Sequence, residues 1–94
     1  MIKSYRDRRT RRFAEGATVK QFESFRRQAE KRLEVLDAAV HLQALRALRS
    51  NRFEALKGDR RGEYSIRINA QWRICFRWPK DEDGPTDVEI TDYH

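Results

Sequence analysis

Residues 64–78, YSIRINAQWRICFRW, alternate apolar and polar side chains on either side of a short polar break. A period of two marks a strand with one buried face, so the stretch predicts two short strands joined by a tight turn. On the first strand Tyr64, Ile66 and Ile68 share a face, with Ser65 and Arg67 on the other. On the second, Trp72, Ile74, Phe76 and Trp78 face the core while Arg73, Cys75 and Arg77 face away. Register follows from loop length. A two-residue loop at Asn69-Ala70 would set Ile66 opposite Arg73 and mix the faces, whereas a three-residue loop, Asn69-Ala70-Gln71, pairs Ile68 with Trp72 and Ile66 with Ile74. The second choice places Arg67 directly across from Arg73. Opposed like charges destabilise a sheet unless something neutralises them, and guanidinium forks bind phosphate oxygens in bidentate fashion. The pair therefore predicts a phosphate-binding surface on the outward face.

Downstream, the prolines and glycine of PKDEDGP (79–85) make a turn. TDVEITDY (86–93) follows as a last strand with Val88 and Ile90 toward the core. Tyr93 continues the outward row toward the arginines, simple alternation puts Asp92 on the opposite side, and the terminal His94 can swing over the same surface. Upstream, NRFEALKGDRRGE (51–63) reads as a charged loop entering the sheet.

The helices lie before it. T-V-K-Q matches a capping box with Thr18 at the cap and Gln21 three residues on. From there Phe22, Phe25, Ala29, Leu33, Leu36 and Val40 form one helical stripe, read as core packing. Leu42, Leu45 and Leu48 predict a shorter helix ending near Ser50-Asn51, with His41 on the surface between the two. Asp7 is expected to cap a basic helix that runs through Phe13 and Ala14 and stops at Gly16. IKSY (2–5) is expected to form a short first strand. The fold class expected is α+β, a single domain over residues 1–94 with two to three helices on one face of a small twisted antiparallel sheet.

A chain of 94 residues supports one modest core and no long cleft between lobes. Lys and Arg number 21 against 15 acidic residues, a net charge of +6, and the pI is near 10.0. That balance favours a polyanionic partner, nucleic acid ahead of an anionic membrane. The charge is also asymmetric: Lys3, Arg6, Arg8, Arg9, Arg11 and Arg12 crowd the start, while residues 81–94 contain no Lys or Arg. Any one of these arginines is most simply a solvated surface group. Cys75 is alone, so no internal disulfide forms, and it reads as a small buried filler in a reducing compartment. No apolar run approaches the ~20 residues of a membrane span, and the arginine-rich start lacks the core of a secretion signal. A cytoplasmic, membrane-free protein is expected, and no metal-ligand spacing or cofactor motif is present.

Two arginines, a tyrosine, a histidine and nearby carboxylates suit metal-free RNA cleavage. A base takes the proton of a ribose 2′-hydroxyl, the oxygen attacks the adjacent phosphorus, and an acid protonates the leaving 5′ oxygen. Arginines stabilise the charge that builds on the pentacoordinate phosphate, and histidine titrates in the range needed for either proton transfer.

LKGDRRGEYSIRINAQWRICFRW (56–78), the terminal DVEITDYH (87–94) and MIKSY (1–5) together resemble the HigB toxins of the RelE/ParE superfamily, the plasmid maintenance system killer proteins. The resemblance covers essentially the whole chain. It implies the RelE-like microbial RNase toxin fold and a bacterial toxin that enters the ribosomal A site and cuts translated mRNA. It also implies a HigA-like helix-turn-helix antitoxin as partner, with operator DNA reached only through that antitoxin. By this resemblance Asp92, Tyr93 and His94 are catalytic, Arg67 and Arg73 contact RNA phosphates, and Lys57, the lysine of L-K-G-D, is a weaker candidate for backbone contact. On the residues themselves Arg67 and Arg73 are expected as phosphate clamps and transition-state stabilisers, with Arg77 of the same outward row as a further RNA contact. One departure stands out: members with H-P-L-K-G carry a catalytic histidine where EALKG here has Glu54. Either Glu54 is the base, or His94 and Tyr93 carry proton transfer alone, or the enzyme is slow. A gyrase-inhibiting toxin of the ParE branch and an inactive RNA-binding relative remain the alternatives.

Overall fold

The computed structural model of the protein describes residues 1–92. Its sheet is antiparallel and four-stranded, in the order β1-β2-β3-β4, with β1 at Glu54–Ala55, β2 at Glu63–Arg67, β3 at Trp72–Arg77 and β4 at Thr86–Asp92. Three α-helices pack on it: α1 (Arg8–Ala14), α2 (Arg26–Ala38) and α3 (Leu42–Ala47). The expected α+β architecture is the one observed.

The central hairpin has the register its alternation requires. Ile66 pairs with Ile74 and Arg67 with Arg73, and the Ile68 amide donates to the Trp72 carbonyl at 2.9 Å. Asn69 closes the three-residue loop, its side-chain oxygen accepting from the amides of Gln71 and Trp72 at 2.9 and 2.8 Å. An Asx turn of this kind substitutes a side-chain acceptor for a backbone one.

Apolar side chains of the hairpin and β4, Ile66, Ile68, Ile74, Phe76, Val88 and Ile90, meet Phe13, Phe22, Phe25, Ala29, Leu33, Leu36 and Leu45 from the helices in one core. Phe22 stands edge-on to both Phe13 and Trp72, at centroid distances of 5.3 and 5.7 Å. Full burial of such a ring contributes about 1.5–3 kcal/mol, so Phe13 and Phe22 help anchor the first two helical segments, together with Phe25 against Trp72 and the Thr10 hydroxyl that accepts from the Ile90 amide.

Several local expectations are corrected. The stripe from Phe22 to Leu36 is buried, but it is carried by a 3-10 segment, Lys20–Phe25, followed by α2. Thr18 forms no capping box. Val19 precedes the 3-10 segment, and Glu23 rather than Gln21 reaches back, accepting from the Val19 amide at 3.0 Å. Val40, expected on the stripe, lies beyond the end of α2 and is exposed, because Ala39 turns the chain into extended backbone. Residues 51–63 are not simply a loop: Glu54 and Ala55 add an edge strand, pairing with Ser65 and Tyr64.

Asp7 caps α1 as expected, accepting from the Thr10 amide at 3.3 Å. Residues 2–5 run beside β4 but make only a single parallel bridge, Tyr5 with Val88. The Lys3 backbone amide donates to the Pro85 carbonyl at 2.8 Å and the Arg6 backbone amide to that of Val88 at 2.9 Å. Gly84 sits under this segment, where an added Cβ would collide with the Met1 carbonyl. Next to it β4 bulges: Cys75 faces Glu89 while Arg77 faces Thr86, and Asp87 takes up the extra length at φ 51°. Asp tolerates this left-handed conformation better than most residues, as a bulge position requires.

Candidate functional site

The outward face of the sheet divides into two halves of different chemistry. At the end away from the hairpin loop, Glu63 is buried, its side chain only 5% exposed, among three guanidinium groups. Arg6 lies 3.1 Å from it, Arg60 3.0 Å and Arg77 3.6 Å. Glu89 joins the cluster, 3.2 Å from Arg6 and 3.0 Å from Arg60. Burial works against the charge on Arg60, but its hydrogen bonds to Glu89 and Glu63 outweigh that and hold its pKa above the ordinary arginine value. Cys75, across from Glu89, is fully buried although it points to this side.

At the loop end the arginines meet neutral oxygens instead. Arg67 donates from Nε to the Asn69 carbonyl at 3.0 Å. Arg73 donates from Nε to the Ser65 hydroxyl and from a terminal nitrogen to the Arg52 carbonyl, both at 2.7 Å. Its nearest recorded carboxylate is Glu54, at 3.8 Å, beyond hydrogen-bond reach. The strand pairing explains the grouping. Glu54 of β1 lies opposite Ser65 of β2, Ser65 neighbours Arg67 two residues on along the same face, and Arg73 leans back over Ser65 to the chain entering β1. Together Arg52, Phe53, Glu54, Arg67, Ala70 and Arg73 line an open cleft of about 490 Å³.

Of the residues singled out in the sequence, Arg67, Arg73 and Glu54 are thus brought together. Thr91 stands across from Arg73 on β4. Arg77 stands apart, shared between Glu63 and Asp87, the latter at 3.9 Å. Lys57 is exposed on the turn after β1. Asp92 pairs with Trp72, on the opposite alternation from Arg73 as its position in the strand requires, and accepts from the Gln71 amide side chain at 2.8 Å. Tyr93 and His94 lie outside the described residues. Arg52, Phe53 and Ala70 are lining residues that sequence reasoning missed, and Arg52 matters most. Its carbonyl is turned toward Arg73 by a left-handed backbone, φ 48° and ψ 48°, and an arginine gives no hint of that conformation in a sequence.

The cleft can hold an anion beside two guanidinium groups, with the Glu54 carboxylate at its rim. Among the described residues no group of three or more His, Cys, Asp or Glu could hold a metal ion.

Comparison with known proteins bears on which chemistry this is. A family model for the RelE-like toxin of type II toxin-antitoxin system HigB matches residues 3–94. Toxin HigB-1 of Vibrio cholerae serotype O1 is 48% identical over 48 residues, covering 51% of this chain and 50% of that protein, so the chain matches about half the length of its curated relative. A solved YoeB/ParE toxin from Agrobacterium tumefaciens is similar at 23% identity, with a TM-score of 0.46 over 79% of this chain and 88% of the other. The match along nearly the whole sequence places the chain in the HigB-like toxin family, the RelE-like toxins of type II toxin-antitoxin systems.

Proposed function

We propose that the protein is a ribosome-dependent mRNA endonuclease that cleaves translated message by acid/base attack of the ribose 2′-hydroxyl. The observation that carries this reading is the contrast between the two halves of the sheet. Arg6 and Arg60 lie within hydrogen-bond reach of the buried Glu63 and of Glu89, whereas Arg67 and Arg73 donate to neutral oxygens beside an open cleft, with Glu54 3.8 Å from Arg73. Guanidinium groups fixed in place, with no carboxylate in hydrogen-bond reach among the described residues, are suited to a phosphate.

Arg67 and Arg73 clamp the scissile phosphate, and Arg73 stabilises the charge gained as the 2′-oxygen attacks. His94 exchanges the proton as general acid or base, Tyr93 orients or stacks on the RNA, and Asp92 supports them electrostatically. Glu54 is a second proton carrier. With its side chain 58% exposed, it depends on bound RNA to remove it from water. Lys57 and Arg77 are weaker RNA contacts. A HigA-like helix-turn-helix antitoxin holds the toxin inactive and supplies contact with operator DNA. No described helix is long and apolar enough to cross a membrane, and the cytoplasm, where ribosomes are, is the proposed location.

Glu54 in place of a histidine favours one second reading, RNA binding without cleavage. Induction of the protein with mapping of mRNA ends separates the two. The parent is expected to arrest growth and produce new ends within translated frames, and Arg73→Ala and His94→Ala each to lower cleavage by ~10²-fold or more. Two variants that remain fully toxic would overturn the assignment, and a parent that leaves messages intact and growth normal would favour the passive reading.

A further inference from the structure

The cleft does not end at Arg52. A second depression, about 470 Å³ and lined by Arg49, Ser50 and Arg52, adjoins it and shares Arg52 as a wall. Neither guanidinium in this depression has a recorded carboxylate partner among the described residues, in contrast to Arg6, Arg26, Arg60 and Arg77.

The turn that presents them is anchored. Asn51 is fully buried between the two arginines, donating to the Leu45 carbonyl at 3.1 Å and accepting from Arg32 of α2 at 2.8 Å. Arg52 donates its amide to the Arg49 carbonyl at 3.0 Å, closing a 3-10 turn, and then adopts the left-handed conformation. The left-handed backbone is unfavourable for a residue with a Cβ, and such strain persists where the surroundings hold it in place. Its consequence is geometric: the Arg52 carbonyl fastens Arg73 in the first cleft, and Arg52 is the residue common to the linings of both depressions.

We infer that Arg49 and Arg52 form a second phosphate subsite, which takes the phosphate next along the strand from the one held by Arg67 and Arg73. The inference rests on the RNA-cleaving reading of the first cleft. The Ser50 hydroxyl, which accepts from Arg32 at 3.4 Å, keeps its own proton to donate to the same anion. A polynucleotide bound this way runs from the hairpin loop across β1 toward the end of α3. Because the contact is to the backbone, it adds to binding equally for every codon.

The test is a double variant, Arg49→Ala with Arg52→Gly, in a purified translation system that reads cleavage of mRNA. Glycine adopts the positive φ freely and retains the carbonyl that fastens Arg73, so the change removes the side chain without removing the support. Arg49→Ala alone, away from the left-handed position, serves as a second variant should the double one lose stability in thermal unfolding. Messages are prepared with a neutral methylphosphonate at the linkage on either side of the scissile phosphate. The parent is expected to slow on one of the two neutral linkages, by about fivefold for each guanidinium lost from contact. The double variant is expected to be slowed to a similar extent on natural RNA, across codons, and to be indifferent to that linkage. A double variant that cuts natural message at the parent rate, or that is slowed by the neutral linkage as much as the parent, overturns the subsite and leaves the cleavage reading standing. A parent that cuts no message defeats the cleavage reading, and the subsite with it.

Discussion

Cys75 shows how a single position is governed by what covers it. Its alternation with Ile74 and Phe76 turns it to the outward face, yet it is wholly buried. Burial pushes its thiol up to about 11, partly offset by Arg60 and reinforced by Glu89 and Glu63. Only the thiolate is an efficient nucleophile, and at pH 8 a thiol of that pKa is ionised to about one part in a thousand. Native protein is therefore expected to resist a colourimetric thiol reagent that reacts promptly once guanidinium chloride unfolds the chain. Prompt reaction under native conditions would mean that the ion cluster does not seal this half of the sheet. The sequence showed a small filler on a strand, and that much is observed. It could not show the seal, because alternation gives the direction of a side chain and says nothing of the groups that arrive from elsewhere. Arg52 was hidden for a similar reason: its importance lies in its backbone conformation, not in its side-chain type.

Among the elements, the hairpin was the most legible, because a one-residue slip would have turned Arg73 into the core and the alternation admits only an odd loop. β1 was illegible by the same standard, since two residues have no period. The long helical stripe was half legible. Spacings of three and four keep Phe22, Phe25 and Ala29 on one side whether the backbone is 3-10 or α, so the core residues from Phe22 to Leu36 were right, while Val40 and the cap were wrong. Glu23, not Thr18, organises that start, accepting from Val19 and pairing with Arg26 at 2.6 Å. The hydrogen bond from Arg26, with further help from the Val19 amide, holds its carboxyl below the ordinary value of 4.5. A carboxyl depressed on folding adds stability above its unfolded pKa and loses it as pH falls through the folded value. Glu23→Gln is accordingly expected to lower the unfolding temperature at pH 7. Its difference from the parent should shrink steadily as pH is taken from 5 toward 2. A difference that stays constant over that range would assign the effect to packing rather than to the ionised carboxylate.

Across the whole molecule, the +6 charge is sorted by position. One buried carboxylate, Glu63, gathers Arg6 from the N-terminal segment, Arg60 from the turn before β2 and Arg77 from β3. Glu89 of β4 ties two of the same guanidinium groups. These arginines are occupied in joining the start of the chain to three strands, which leaves the loop end of the sheet as the region where held guanidinium groups border an open cleft. Removing Glu63 takes the shared, buried partner from three guanidinium groups that are 31%, 26% and 42% exposed and keep Glu89 or Asp87 nearby. Such a loss of charged hydrogen bonds typically costs about 1.5–3 kcal/mol. Glu63→Ala is thus expected to lose about that much in urea unfolding. Arg6→Ala should lose no more than about 1 kcal/mol, because its side chain is 31% exposed and Glu63 retains Arg60 and Arg77. Equal losses from the two would place the energy in docking of the N-terminal segment. A larger loss from Glu63 places it in the carboxylate at the centre, and with it the division of the sheet into a sealed half and a half open to an anion.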